Sequence, residues 1–207
     1  MKFDCLLIDP AWEYKNKRTG GSYKSGASQK YETMSIVDIQ NLYDNLQLDK
    51  LMDDDCCLFL WTTNSMLPHA ICALELWGFE YKTMITWIKP NFGMGFWYRN
   101  KTEHMLFGIK GKVKPFRFAY ENIFYTQNQL KHSQKPQKSY RIVEQAAQMV
   151  AFDKDRGGIN ILELFARKQH KSLNDSIRWV CLGKEISRNT LDVDVQNLIA
   201  LNTNITK

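Results

Sequence analysis

With 207 residues, 44% of them hydrophobic and 24% charged, the chain is long enough to bury one sizeable core, and its apolar runs fall well short of the roughly 18 residues that a membrane span needs. Twenty-eight Lys and Arg against 22 Asp and Glu leave a net charge of +6, which favours a polyanionic partner; no membrane partner is expected. Cys5, Cys56, Cys57, Cys72 and Cys181 are odd in number and lack Cys-x-x-Cys spacing, and His69, His104, His132 and His170 are scattered, so neither a disulfide framework nor a metal site is expected.

The opening Met1-Lys2-Phe3-Asp4 lacks the basic and apolar regions of a signal peptide, and a cytoplasmic protein is expected. Phe3 to Ile8 is a nearly continuous apolar run, as are Cys56 to Trp61, Met84 to Ile88, Met105 to Ile109, Ile159 to Phe165 and Trp179 to Leu182. Continuous runs of this length suit strands covered on both faces by helices. Between Lys15 and Lys30 lie five basic residues and no acid, mixed with Gly20, Gly21 and Gly26; this reads as a flexible basic loop, and the insertion is taken as residues 13–31. A helix is predicted from Ser35 to Asn45, with Ser35 and Asp38 spaced as a capping box. Another runs from Ser65 to Trp77, ending at Gly78, and a third from Pro136 to Val150.

Residues 91–104 form a glycine-containing loop carrying Trp97, Tyr98, Arg99, Asn100 and Lys101. Lys110 to Tyr120 interleaves four basic residues with Phe116, Phe118 and Tyr120, the mixture used by single-stranded nucleic-acid grooves and equally an ordinary solvated face. A peripheral helix is expected over Val193 to Leu201. No repeat or linker divides the chain. Strands alternating with helices predict one domain, a three-layer α/β sandwich whose ligands bind beyond the carboxyl ends of the strands.

The first strand ends in Asp9-Pro10-Ala11-Trp12. An isolated Asp-Pro more often just caps and ends a strand, but the added indole matches one substrate type, an exocyclic amino group on a flat base. Asp9 can accept one amino hydrogen and the Pro10 carbonyl the other, while Trp12 stacks on or flanks the ring. Proline's fixed φ keeps that carbonyl on target. Lys135, before a helix start, can meet a carboxylate together with the helix amides, although a Lys in such a place is more often just solvated, and Arg167, His170 or Glu185 can bind ribose hydroxyls. The sequence has neither GxGxxG nor GxxxxGK[ST], which argues against nicotinamide enzymes and nucleoside triphosphatases.

Asp9 to Trp12 resembles the Asp-Pro-Pro-Trp motif of the N6-adenine methyltransferase family that includes the catalytic subunit of the mRNA adenosine methyltransferase and many bacterial and phage DNA enzymes; Ala11 stands where the family has Pro. In the same order, "YETMS" is similar to the family's Tyr-Gly-Thr-Met-Ser segment, "LFLWTT", "LWGFE", "ITWIKP" and "EHMLFGIKG" to its following strands and helix end, and "HSQKP" and "ELFARKQH" to its cofactor-holding segments. The resemblance covers most of the chain. It implies a Rossmann-like S-adenosylmethionine-dependent methyltransferase fold, with the catalytic motif ahead of the donor motif, as in the permuted beta class.

It further implies Asp9, Pro10 and Trp12 as catalytic residues, and Asp9, Lys135, Glu163, Phe165, Arg167, His170, Lys184 and Glu185 as contacts for S-adenosyl-L-methionine, which becomes S-adenosyl-L-homocysteine. His170 stands where the family often has Asn, and Lys184-Glu185 replaces Asn-Gln. Tyr31, Trp87, Lys89, Trp97, Asn100 and Glu103, with Lys15, Lys17 and Arg18, are the implied substrate contacts. No metal is implied. The amino nitrogen attacks the methyl in line, and the spare proton is expected to leave to water, because an Asp near its reference pKa of about 3.9 is a poor base.

DNA adenine is the favoured substrate and RNA the alternative; the base must be single-stranded or flipped out. A cytosine amino methyltransferase, a non-catalytic nucleic-acid-binding subunit and a small-molecule methyltransferase are the competing readings. Specificity is left to the basic loops, a second copy of the chain or another subunit.

Overall fold

The computed structural model describes residues 1–14, 33–93, 97–117, 119–127, 134–154 and 157–205. Seven strands, β1 (Phe3–Ile8), β2 (Met52–Thr62), β3 (Glu80–Ile88), β4 (Thr102–Lys110), β5 (Ile123–Tyr125), β6 (Ile159–Leu164) and β7 (Ile177–Leu182), form one sheet in the order β5-β3-β4-β2-β1-β6-β7. β1 pairs in parallel with both β2 and β6, β6 with β7, and β3 with β5, whereas β4 is antiparallel to β2 and β3. The chain therefore winds outward from β1 in two directions, and the gap between the carboxyl ends of β1 and β6 is the switch point of the sheet.

Alternation decides the layers. Leu6, Ile8, Leu58, Leu60, Leu162 and Leu164 pack with Ile39, Leu42, Ala70 and Leu74 on one face, while Cys5, Leu7, Phe59, Trp61, Ile161 and Cys181 pack with Val143, Ala146, Ala147 and Val150 on the other. The first face is covered by helices α1 (Ile36–Gln40), α2 (Leu42–Asn45) and α3 (Leu67–Leu76), and the second by α4 (Gln137–Ala151), which crosses β1, β2 and β6. Each such side chain contributes roughly 1.5–3 kcal/mol on full burial. Because both faces are covered, the central strands have no polar side to alternate with. This is the Rossmann-like three-layer sandwich that the alternation of elements implies.

Local chemistry sets the boundaries. The Ser35 and Asp38 capping box forms, with the Asp38 amide donating to Ser35 Oγ at 3.1 Å and the Ser35 amide to Asp38 Oδ2 at 3.2 Å. The single helix predicted to follow is instead two short ones broken at Asn41. Gly78 takes φ +80° after α3, a conformation that only glycine adopts without strain. Pro136 is the cap of α4 and not its first turn. The C-terminal helix is longer than expected: after α5 (Lys184–Ser187), α6 (Leu191–Ile205) packs on β7 and buries Val195 completely. The three-residue edge strand β5 escaped prediction. Cys5, Cys56, Cys57 and Cys181 are buried free thiols, and only Cys72 is exposed.

Candidate active site

Asp9 leaves the carboxyl end of β1 at the switch point. Its Oδ1 lies 2.9 Å from Lys135 Nζ, which also lies 3.3 Å from Glu103 Oε2; Glu103 Oε1 in turn accepts a short hydrogen bond from Lys89. Four elements thus contribute to one alternating chain of charges: the end of β1, the approach to α4, β4 and the end of β3. Lys135 Nζ also stands 4.9 Å over the Trp61 ring, a cation–π contact that favours the ammonium in a partly dry site. Burial alone would depress the Lys135 pKa, but Asp9 and Glu103 outweigh it and hold the pKa above its usual value. Burial likewise acts to raise Glu103, and Lys135 with Lys89 overcomes it, so Glu103 stays below the usual carboxylate range. For Asp9 burial wins: despite Lys135, its pKa is raised. The premise that Asp9 sits near its reference value does not hold, and Asp9 is a better base than the sequence suggested.

The backbone after Asp9 is pinned. The Trp12 amide donates to the Pro10 carbonyl at 3.0 Å, the Met34 amide to the Ala11 carbonyl at 2.8 Å, and the Glu13 amide to the Met34 carbonyl at 3.0 Å. The Pro10 oxygen keeps a second lone pair for a substrate. Trp12 is placed differently from expectation. It is only 5% exposed, packs in the first core layer and donates its indole N–H to the Trp61 carbonyl at 3.0 Å. A ring so enclosed supports the loop from beneath and offers little stacking surface. Tyr14, which sequence reasoning passed over, bonds Thr63 Oγ1 through its hydroxyl at 2.6 Å and completes that support.

At the neighbouring strand end, Phe165 adopts φ +63°, a left-handed turn costing about 1–3 kcal/mol for a non-glycine residue. Its ring packs against the core, so its bearing on the site comes through the turn it makes. The turn is locked by β7: the Ala166 amide donates to the Leu182 carbonyl at 2.9 Å, and a Cβ on Gly183 would stand 2.2 Å from the Ala166 carbonyl oxygen. Arg167 Nε lies 3.7 Å from Glu185 Oε1, both partly exposed at the mouth, and Lys184 is exposed beside them. His170 is not presented there. Its ring stacks on Tyr140 at 4.5 Å and meets Trp179 edge-on at 4.7 Å, and its Nε2 lies 3.4 Å from Glu144. Burial lowers its pKa, and the ring is committed to packing between β7 and α4.

Glu163, on β6, is 5% exposed; its Oε1 accepts from the Tyr140 hydroxyl at 3.2 Å, and its Oε2 is buried without a hydrogen-bond partner. Burial raises its pKa to about 7. Trp87 is also interior, 5% exposed, with its indole N–H donating to Thr126 at 3.2 Å. Trp97, in contrast, is 94% exposed in the β3–β4 loop. Asn100 accepts from the Asn64 amide at 3.4 Å, and its carbonyl accepts from the Gly93 amide at 2.6 Å. His104, beside Glu103 but on the opposite strand face, is buried between Asn64 and Thr86. Lys15, Lys17, Arg18 and Tyr31 lie outside the described residues, as does most of the 13–31 insertion.

The Lys110–Tyr120 stretch is mostly tied down. Lys110 stands over the Tyr43 and Phe79 rings, Lys114 pairs with Asp153 at 2.5 Å, Arg117 covers Phe152, and Phe116 packs on Phe107 and Tyr120. The solvated-face alternative describes it better than a nucleic-acid groove. Among the described residues no cluster of His, Cys, Asp and Glu could hold a metal, and no helix is long and apolar enough to cross a membrane.

Comparison with known proteins gives a match to the MT-A70 family over residues 3–185. The type II methyltransferase M.MunI of Mycoplasma sp is 30% identical over 214 residues, covering 96% of this chain and 84% of that protein. The human N(6)-adenosine-methyltransferase catalytic subunit METTL3 is 26% identical over 203 residues, covering 94% of this chain but 30% of that protein. The Arabidopsis thaliana N6-adenosine-methyltransferase non-catalytic subunit MTB is 31% identical over 123 residues, 55% of this chain and 15% of that protein.

Proposed function

This chain belongs to the MT-A70 family, and on that premise we propose that it is an S-adenosylmethionine-dependent N6-adenine methyltransferase acting on DNA. The observation that carries the reading is the meeting of Asp9-Pro10 with the β6 end at the switch point, with Asp9 charge-paired to Lys135 at 2.9 Å. DNA is favoured over RNA because the chain spans 84% of M.MunI and under a third of METTL3. The METTL3 likeness keeps RNA as the second reading, and the MTB likeness keeps a second subunit as a candidate partner.

The buried Glu163 oxygen, without a hydrogen-bond partner, fits a cationic cofactor. S-adenosylmethionine, when bound, supplies an electrophilic methyl group. Lys135 would hold its carboxylate, since an ammonium with three donors keeps one beyond Asp9 and Glu103. Arg167, Lys184 and Glu185 at the mouth would hold its ribose and adenine. Asp9 and the Pro10 carbonyl would each accept one hydrogen of the target amine, turning the nitrogen lone pair away from the ring. Lys135 favours the Asp9 anion for that task; burial outweighs it and raises the Asp9 pKa, which makes Asp9 a better acceptor than a solvated aspartate for the proton released afterwards. Trp97, Tyr98 and Lys101 would meet the strand flanking the target, with Lys89 and Glu103 at the base pocket. A cytoplasmic location follows from this reading.

The test is to incubate the protein with methyl-labelled S-adenosylmethionine and mixed DNA and RNA oligonucleotides, and to identify modified nucleosides by mass spectrometry. Methylated deoxyadenosine that disappears in Asp9→Ala is expected. Methylated adenosine in RNA alone would replace the DNA reading, and absence of any product from folded protein with bound cofactor would remove both.

A further inference from the structure

Glu163 stands in register with Leu7 of β1, two residues below Asp9 and on the face covered by α4. Its surroundings are almost entirely neutral. Tyr140 of α4 donates to Oε1, and the Cys181 thiol of β7, a weak donor, lies beside it; Asp9 at the end of β1 and Lys168 in the loop after β6 act on it through space. Among the described residues no Lys or Arg forms an ion pair with it. A buried carboxylate with an empty acceptor position is costly unless it is protonated or met by a cation. In the free protein, protonation answers that cost. Leu7, its partner on β1, lies two residues before Asp9, so the empty oxygen sits below the strand ends where ligands enter such sheets.

We infer that the unpartnered Glu163 oxygen is the seat of the cofactor's methionine ammonium, and that binding of this cation sends the Glu163 proton to solvent. The inference rests on the cofactor assignment above. The bookkeeping is simple: the Glu163 O–H bond breaks, its proton goes to the buffer, and an N–H···O bond forms from an ammonium that keeps all its hydrogens. A ribose hydroxyl could also fill the empty position, but a neutral donor would not draw off the proton. Burial and Asp9 oppose ionisation of Glu163, whereas the Cys181 thiol, the Tyr140 hydroxyl and Lys168 assist it. The near-neutral pKa of Glu163 places the exchange in the physiological range.

The probe is S-adenosylhomocysteine, which carries the same ammonium and no transferable methyl. Calorimetry at about pH 6.5, in buffers with different heats of ionisation, is expected to show release of a substantial fraction of one proton per ligand, fading as pH rises past neutrality. Methylthioadenosine, which lacks the ammonium, is expected to release none. Glu163→Gln should weaken S-adenosylhomocysteine about tenfold to a hundredfold, abolish its proton release and leave methylthioadenosine unaffected. Tyr140→Phe keeps the ring and removes one hydrogen bond to the carboxylate, so the pH midpoint of proton release should move upward. Tight S-adenosylhomocysteine binding with no proton release, or with release unchanged in Glu163→Gln, overturns this inference alone. Folded protein that binds neither ligand overturns the cofactor assignment with it.

Discussion

β1 and α4 are joined by a lysine–carboxylate pair at each end, and the two pairs differ in what they leave open. At the amino end of β1, Asp4 lies 2.9 Å from Lys154, which follows α4; at the carboxyl end, Asp9 lies 2.9 Å from Lys135, which precedes it. Asp4 is 0% exposed, and its second oxygen accepts the Asn160 amide at 3.0 Å. Lys154 directs its donors to Asp4, to Asp53 at 3.2 Å and to the Asp55 carbonyl. That set is closed. The Asp9 side chain is 27% exposed, and Lys135 divides itself between two carboxylates and an aromatic face. The same chemistry staples one end of the sheet and arms the other. Carboxyl strand ends, where ligands bind in such sheets, carry the open version.

The comparison breaks first at the closed end. Asp4→Ala takes from Lys154 its fully buried partner, leaving Asp53 at 3.2 Å, and orphans the Asn160 amide, so a cost of about 1–3 kcal/mol is expected. A fall of that size in the unfolding free energy by denaturant titration is expected, with any activity loss tracking the unfolded fraction. Asp9→Ala should do the reverse. Lys135 retains Glu103, so the stability change should be much smaller, while turnover should drop about a hundredfold to a thousandfold, the usual effect of removing one preorganised polar group from a reacting centre. Equal stability losses in the two variants would erase the distinction between the ends.

A buried carboxylate without a cation sharpens the contrast. Asp4 has Lys154, whereas Glu163 has no such partner, and burial moves its pKa from 4.5 to about 7. Between those values the folded protein binds more protons than the unfolded chain, so stability falls as pH rises. The stabilisation is fully present below about 4.5 and gone above about 7. It is bounded by roughly 3 kcal/mol for a shift of this size. In the absence of ligand, Glu163→Gln should flatten that part of the stability profile, leaving the variant the more stable protein above neutrality. Identical pH profiles for the two proteins would show that Glu163 is not buried as described.

The two ends were unequally legible in the sequence. Asp9 was visible because Pro10 and Trp12 follow it, an unusual grouping at a strand end. Asp4 sits inside an apolar run and gave no sign of its partner, since Lys154 is distant in the chain and only the packing of α4 across β1 brings them together. Strand order could not be read at all, because continuous apolar runs say that a strand is central without saying which neighbour it takes. Within the candidate site, the side-chain orientations were not legible in the sequence. Trp12, Trp87 and His170 carry the right chemistry, yet their rings turn into the core, and one residue of strand phase or one loop turn decides that. Tyr14 and Tyr140 went unremarked for the complementary reason: neither belongs to a motif, and each matters only through what folding places beside its hydroxyl.

The smallest effect separates the crevice from the surface that feeds it. Trp97 is 94% exposed and Tyr98 89% exposed, so replacing Trp97 by Ala removes no packing and should leave the melting temperature unchanged. An exposed indole in the β3–β4 loop is suited to stack on a base, and such contacts are worth about 1–3 kcal/mol by alanine substitution. Because Trp97 is almost fully exposed, the lower part of that range is expected, read as a fivefold to tenfold weaker affinity for a single-stranded oligonucleotide in fluorescence titration. Turnover at saturating oligonucleotide should be preserved, since Asp9 and Lys135 are untouched. A drop in turnover with affinity intact would move Trp97 from the approach path into the base pocket, and the loop would then belong with the open end of β1 as part of its chemistry.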